Sequence, residues 1–308
     1  MPTGRSIDGM RTDETNRIIA QMMGGDVEQF LTTHWRRRIM VARNSLPELS
    51  SFYSLPQFVE DYCRVDFHAA SSVIDIVDGQ RRFTVPKAFS DVSQALKKGS
   101  PIVMQALRLP IESARMPERW RWMLDLYSAL CKYFLPGLPT SKFPGITAAA
   151  VDIFCAMNDS TTGGHHDGGD VFFLPLDGPK EWTVEFCPDM ETVKRLCRAQ
   201  LLSKMDLDPA NETTTVVLYP GDCLYMPPYT YHRARATGPS LGVSFGLPSF
   251  NAINLLAYKF YSLARQGEFI EPLPSAPKDN HLIYIEARAE QRRRLQELLE
   301  TMLKQLDE

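Results

Sequence analysis

Two histidines and one carboxylate define the chemistry open to this chain. His165 and Asp167 stand two residues apart within GGHHDGGDVFFLPLDGPKEW, residues 163–182, and His232 ends YPGDCLYMPPYTYH, residues 219–232. Imidazole nitrogen and carboxylate oxygen are good ligands for a first-row divalent ion. A face of two histidines and one carboxylate leaves coordination positions open, as in non-haem Fe(II) oxygenases. In an extended segment residues i and i+2 point the same way, so His165 and Asp167 face one ion and His166 faces elsewhere. The third ligand has to come from a different strand, and His232, behind the strand-like DCLYM and two prolines, is the candidate. A lone histidine is more often packed or exposed than a ligand, so His34, His68 and His281 need no special role. A bare His-x-Asp triplet is also common by chance. The weight lies in the combination of the triplet, its flanking glycines, the VFFLPL run that follows and the later PGD, PP and His.

These residues resemble the metal-binding core of the cupin-type JmjC oxygenases, in the branch that contains the ribosomal-protein hydroxylases. The resemblance is carried by His165-x-Asp167, Asp170 three residues later, the apolar VFFLPL, then Gly178, Lys180 and Trp182. YPGDCLYMPPYTYH resembles the family's Pro-Gly-Asp, Tyr-x-Pro-Pro, His segment. DVEQFLTTHWRRRIMVARNSLPEL is similar to its opening segment, and SLGVSFGLPSFNAINLL to its last barrel strand and the helix beyond, so the likeness covers roughly residues 25 to 260.

The resemblance implies Fe(II) held by His165, Asp167 and His232, with 2-oxoglutarate and O2 as cosubstrates. It implies that Lys180 binds the distal carboxylate of 2-oxoglutarate and that Ser244 donates a second hydrogen bond to it. The physical chemistry agrees for Lys180, since a buried dicarboxylate needs a fixed cation; the plainer reading is a solvated strand-end lysine. A strand serine is more often structural. The chain departs from the family at His166, where an aromatic or apolar residue is frequent, and at Pro175, where a polar one is usual. Asp152 and Phe154 stand where Asn and Tyr are common. The reaction implied is hydroxylation of a C–H bond in an amino-acid-like small molecule, a peptide or a protein side chain. Retention of Asp167 favours hydroxylation over halogenation. Two other readings use the same triad: a metal cupin isomerase or hydrolase with zinc or manganese, and a non-catalytic binding module. The first needs neither Lys180 nor 2-oxoglutarate; the second would sense a small acid or contact a partner through the C-terminal helices.

Composition narrows the class further. The 308 residues carry 34 basic and 37 acidic side chains, a net charge of −3, so no global field attracts nucleic acid and no direct nucleic-acid binding is expected. WRRR at 35–38 and RRR at 292–294 sit inside helical patterns and read as solvated faces. The six cysteines, Cys63, Cys131, Cys155, Cys187, Cys197 and Cys223, form no C-x-x-C pair, so no zinc ribbon or redox motif is supported. Their places in apolar runs suit free thiols packed as small hydrophobes in a reducing compartment. The first residues lack the apolar core of a signal peptide, and no run is long enough to span a membrane. The expectation is a cytoplasmic protein, with a nuclear one also compatible.

The elements that must position the triad read as a mainly β fold with flanking helices. Many short strands separated by Gly and Pro turns suggest a barrel or sandwich. A double-stranded β-helix of the cupin or jelly-roll type fits, because distant residues then meet at one open mouth. That mouth is expected to include parts of 158–162 and 229–231. Residues 1–24 read as an N-terminal extension, ordered only near IIAQMM; 25–248 as the oxygenase domain; 249–308 as a C-terminal helical segment. Asp26 caps a helix carrying Val27, Phe30, Leu31 and Trp35. Helices are expected near 55–63 and 91–99 and over MPERWRWMLDLYSALCKYFLPG, with a hairpin at Asp78-Gly79 and buried strands at PIVMQAL and AAAVDIFCAM. Further strands follow at 170–176, 181–187, TTTVVLY, DCLYM, HRARA and SLGVSFGL, with helices at 190–202, 251–266 and 283–306. Leu295, Leu299, Met302 and Leu306 make an apolar stripe on the last helix that packs on the barrel or pairs two chains; the family's habit of dimerising there points to a homodimer. The residues after 248 are too few for the winged-helix domain that the family's protein hydroxylases often add, which leaves room for a smaller substrate.

Overall fold

The computed structural model describes residues 12–65, 71–77, 80–105, 116–135, 150–157, 159–185 and 213–247, with parts of 289–304. The chain divides into two compact units, Met1–Ser249 and Phe250–Glu308. In the second, the described residues are helical and Arg293 is bonded to Glu290 and Glu297 at helical spacing. The expected helices at 190–202 and 251–266 lie outside the described residues.

The first unit is a barrel of antiparallel strands dressed with helices. Helix α1 spans Thr12–Met22, α2 Leu55–Val65, α3 Phe89–Lys97 and α4 Glu118–Phe134. The strands before the metal triplet are β1 (Met40–Ala42), β2 (Ser71–Val77), β3 (Gln80–Thr84), β4 (Ile102–Gln105), β5 (Ala150–Ala156) and β6 (Ser160–Thr161). Those from the triplet onward are β7 (His165–His166), β8 (Asp170–Asp177), β9 (Lys180–Glu185), β10 (Thr214–Leu218), β11 (Cys223–Met226), β12 (Tyr231–Ala236) and β13 (Ser240–Leu247). One sheet runs β1-β11-β8-β13-β5-β4-β2-β3; the other runs β10-β9-β12-β6, with β7 also on β12. This is the expected double-stranded β-helix.

The larger sheet is buried on both faces. Phe172, Leu174, Val243, Phe245, Val151 and Ile153 point outward to a core shared with Ile18, Met22, Trp120, Met123 and Leu130 of the helices. Val171, Phe173, Leu224 and Met226 point inward, where they meet Trp182, Val184 and Ala234 of the second sheet. Burial on two faces is why VFFLPL is an unbroken apolar run rather than an alternating one. Pro175 has no N–H to give the ladder. It pairs with Gly242, where β13 shifts register between Leu241 and Gly242, so the missing donor falls at a bulge.

The N-terminal segment differs from its expected form. α1 begins at Thr12, and Ile18, Ile19, Met22 and Met23 are buried in the main core. Its apolar residues lie at helical spacing and cover α4, so burial orders it. Asp26 caps the next turn by accepting from the Gln29 amide at 2.9 Å; Phe30 is buried there, while Leu31 stays exposed.

Asp170 joins this segment to the strand that leaves the metal triplet. Its carboxylate is fully buried and accepts from the Tyr225 hydroxyl at 2.7 Å and from Arg36 Nε at 3.1 Å. Arg36 has φ +56 and donates its own N–H to the Tyr225 oxygen at 2.7 Å. Burial, only partly offset by Tyr225 and Arg36, pushes the Asp170 carboxyl up to about 6. The folded chain therefore holds this proton more tightly than the unfolded one, whose aspartates titrate near 3.9. Stability from this group is full below the unfolded value and is lost as pH rises toward 6, by roughly 3 kcal/mol. Denaturant unfolding between pH 4 and 7 should show this fall in wild type and not in Asp170→Asn.

Candidate metal centre

The fold brings the three expected ligands to one point. β7 pairs with β12 so that His165 lies opposite His232 and His166 opposite Tyr231. One ligand atom from each of His165, Asp167 and His232 lies within 4.8 Å of the other two. Asp167 reaches His165 Nε2 at 3.7 Å and His232 Nε2 at 3.3 Å, one carboxylate oxygen to each. The Nδ1 atoms turn away, His165 toward the Gly163 carbonyl at 3.4 Å and His232 toward the Thr230 carbonyl at 3.0 Å. A ring that donates from Nδ1 keeps its Nε2 lone pair for a metal.

Electrostatics keep His165 and Asp167 in the ligand state. Burial, and next the neighbouring His232, draw His165 well below the usual imidazole range. Burial works against ionisation of Asp167, but His165 and His232 outweigh it and hold the carboxyl well below the ordinary range. Near neutrality His165 offers a neutral imidazole beside the Asp167 carboxylate, donors of the kind a divalent cation takes.

The triplet's glycines are needed by its neighbours. Gly163 has φ +73, and a Cβ there would stand 2.8 Å from Arg81 Cγ and from Ile76 Cδ1; a Cβ on Gly164 would overlap the Tyr231 ring. The β2–β3 hairpin and Tyr231 thus press on the metal loop from two sides.

A cavity of about 150 Å³ opens on the ligands. Asp152, Phe154 and Ser244 line it, as do Thr162 and Trp182. Lys180 shares the inner face of β9 with Trp182 and is 3 % exposed. Their partners on β12 are Ala236 and Ala234, small side chains that leave space before them. Lys180 Nζ lies 5.6 Å from the Phe154 ring centroid and has no hydrogen bond or ion pair among the described residues. Burial lowers its ammonium to about 8. The Trp182 indole nitrogen is likewise buried without an acceptor. A buried cation and a buried N–H donor on one inner face suit an anionic, oxygen-rich ligand beside the metal.

Several features lay beyond sequence reasoning. Arg81 and Phe83 of β3 also line the cavity, with the Arg81 guanidinium 4.8 Å from the Phe83 ring centroid. The alternation of RRF within a hairpin is the one local sign that these two share a face. Of the expected mouth, Thr162 lines the cavity, whereas Tyr229 and Tyr231 brace the loop from outside.

Comparison with known proteins agrees with this picture. Residues 141–255 match the JmjC domain. A probable ribosomal oxygenase of Haemophilus influenzae is 25% identical over 231 residues, 74% of this chain and 51% of its own length. The chain therefore spans about half the length of that relative. The crystal structure of the Escherichia coli ribosomal oxygenase YcfD superposes with a TM-score of 0.54 at 18% identity, covering 89% of this chain and 66% of that one. The same protein in complex with cobalt and 2-oxoglutarate gives 0.53 at 18% identity, over 88% and 66%. The barrel has the JmjC fold.

Removing the shared carboxylate should leave two imidazoles with nothing to hold a cation between them. Asp167→Ala should weaken Co(II) binding by more than about 100-fold, beyond what is usual for groups outside the ligand set. Calorimetric titration of the metal-free protein measures this, with thermal melting to verify the fold.

Proposed function

We propose that this chain is an Fe(II)- and 2-oxoglutarate-dependent oxygenase that hydroxylates an unactivated C–H bond of a peptide, protein side chain or amino-acid-like molecule. One observation carries the reading. Three metal donors from two distant stretches converge on one cavity, and a buried lysine with no acid beside it among the described residues stands on the same inner wall. The cobalt and 2-oxoglutarate bound by the E. coli protein supports the same assignment for this barrel.

In this reading His165, Asp167 and His232 hold Fe(II), and Lys180 meets the distal carboxylate of 2-oxoglutarate. Fe(II), 2-oxoglutarate and O2 together supply the oxidant for C–H hydroxylation, with succinate and CO2 as coproducts. The residues of this chain bind and orient. The imidazole and carboxylate donors occupy one face of the ion and leave the other open. Trp182 adds a donor and Ser244 a hydroxyl, while Phe154 and Val171 give the wall an apolar stretch that limits water near the ligands. Asp152 and Arg81 place opposite charges on the wall that a substrate would meet. The cavity is small beside a typical ligand site of roughly 300–1,000 Å³, which suits a substrate that presents a single group to it. This favours one side chain of a larger molecule, in line with the ribosomal oxygenases.

Two further parts belong to the reading. Cys131, Cys155 and Cys223 are buried free thiols, which supports a cytoplasmic setting; no described helix is long and apolar enough to cross a membrane. A homodimer through the last helix draws on Leu299, 55 % exposed; light scattering on wild type and Leu299→Glu tests it.

The decisive assay is succinate formed from 2-oxoglutarate by purified protein with Fe(II), ascorbate and air. Slow turnover by wild type and none by Asp167→Ala is expected; equal release by both would sink the assignment. Lys180→Met should weaken 2-oxoglutarate binding by about 100-fold or more, as for a lost buried charge pair. Because the free lysine titrates at about 8 and only its charged form pairs with a carboxylate, affinity should be flat below that pH. Above it, affinity should fall about tenfold per pH unit.

A further inference from the structure

His166 stands between two metal ligands and has had no role so far. We propose that it is a positioning residue, fixing Asp167 and His232 relative to one another through the backbone of Tyr229. This rests on the metal-centre reading above.

β7 is only two residues long, so strand pairing alone gives the triplet a weak hold. Alternation places His166 on the side away from the ion. There its ring packs on Tyr231, centroids 5.5 Å apart at 65°, and its Nδ1 lies 3.1 Å from the Tyr229 carbonyl oxygen. A carbonyl only accepts, so His166 Nδ1 carries the proton and donates. Tyr229 answers with its own N–H, which donates to the Asp167 carbonyl at 2.7 Å. One residue thus holds 166 by its C=O and 167 by its N–H.

Tyr229 is held in a costly conformation to do so. Its φ is +63, in the left-handed region that aromatic residues rarely adopt. The turn is tied by Thr230, whose hydroxyl donates to the Pro227 carbonyl at 2.8 Å. The Thr230 carbonyl in turn receives His232 Nδ1. The path from His166 to His232 is therefore short: ring to Tyr229 carbonyl, one peptide to Thr230, and its carbonyl to the imidazole. The same Tyr229 fixes the backbone of Asp167. Without the His166 bond, the strained turn is freer to relax, and the 3.3 Å approach of Asp167 to His232 loses its outer brace.

The test uses the metal-free full-length protein titrated with Co(II), wild type beside His166→Phe and His166→Asn, with a chelator competing where binding is tight. Phe keeps a ring against Tyr231 and has no donor. Asn sets an amide N–H near the place of Nδ1–H. His166→Phe should raise the Co(II) Kd about tenfold or more, the range for partners behind metal ligands, and His166→Asn should stay within about threefold of wild type. Melting temperatures of the metal-free variants should match wild type to within a few degrees, which a merely structural loss would not allow. Wild-type affinity in the Phe variant would overturn the proposal, and so would equal weakening in Phe and Asn. If Phe does not fold, His166→Ala takes its place under the same criteria. A wild type that binds no Co(II) would instead sink the metal centre itself.

Discussion

Placing a charged or hydrogen-bonding group inside an apolar barrel without a protein partner is costly, and among the described residues this barrel does so at Lys180 and at Trp182. For Lys180 the cost shows in an ammonium drawn down to about 8, roughly 3 kcal/mol lost by the charged form relative to water. Such a cost persists only where the surroundings leave no alternative. The surroundings here are two sheets closed on each other. Lys180 and Trp182 face Ala236 and Ala234, and the apolar inner wall of the larger sheet lies across from them. A lysine at the exposed end of a strand would swing to water. On β9 it is kept inside.

Rigidity around the site comes from polar ties more than from the short strands that bear the ligands. Asp222 binds the Pro-Gly-Asp turn to the start of the barrel: it accepts from the Asn44 amide at 2.8 Å and from the Tyr219 amide at 3.0 Å, and pairs with Arg43 at 2.7 Å. Asp177 at the far end of β8 accepts from the Leu55 amide at 2.7 Å, a carboxylate at the positive end of α2. Asp170 at the near end holds Tyr225 and Arg36. β8 is thus pinned at both ends by aspartates and filled with apolar side chains between. A strand so fixed gives the loop before it a stationary base, and that loop carries His165 and Asp167.

The triad, the lysine and most strands were legible because their signals are local. His165 and Asp167 share a face by alternation alone; Gly178 and Pro179 punctuate β8 and β9. Other features depend on who meets whom across the fold. Ile18, Ile19, Met22 and Met23 look like the end of a loose leader until α4 is seen beneath them. Arg81 and Phe83 belong to the cavity only because the hairpin leans on Gly163. The two-residue strands β6 and β7 are too short for any period, and their pairing with β12 alone makes them strands. Pro175, which looks like a strand breaker in sequence, is accommodated by a bulge in β8 itself, where Leu176 is the extra residue against the Leu241–Gly242 step of β13.

The composition of the cavity wall bears on what can reach the ion. Trp182 and Ser244 line the cavity from within the barrel, Arg81 and Phe83 from an edge hairpin, and Asp152 from β5 of the larger sheet. Phe83 is 48 % exposed and Ile76 and Val85 are partly open beside it, so the apolar inner face of the barrel continues outward past the ligands. A free amino acid would use the inner part only. A longer chain would also cover that outer apolar surface, removing it from water at about 25 cal/mol per Å². Under the proposed reading, the cavity's narrow base and its apolar outer margin would suit a substrate that inserts a single side chain and rests the remainder on the hairpin.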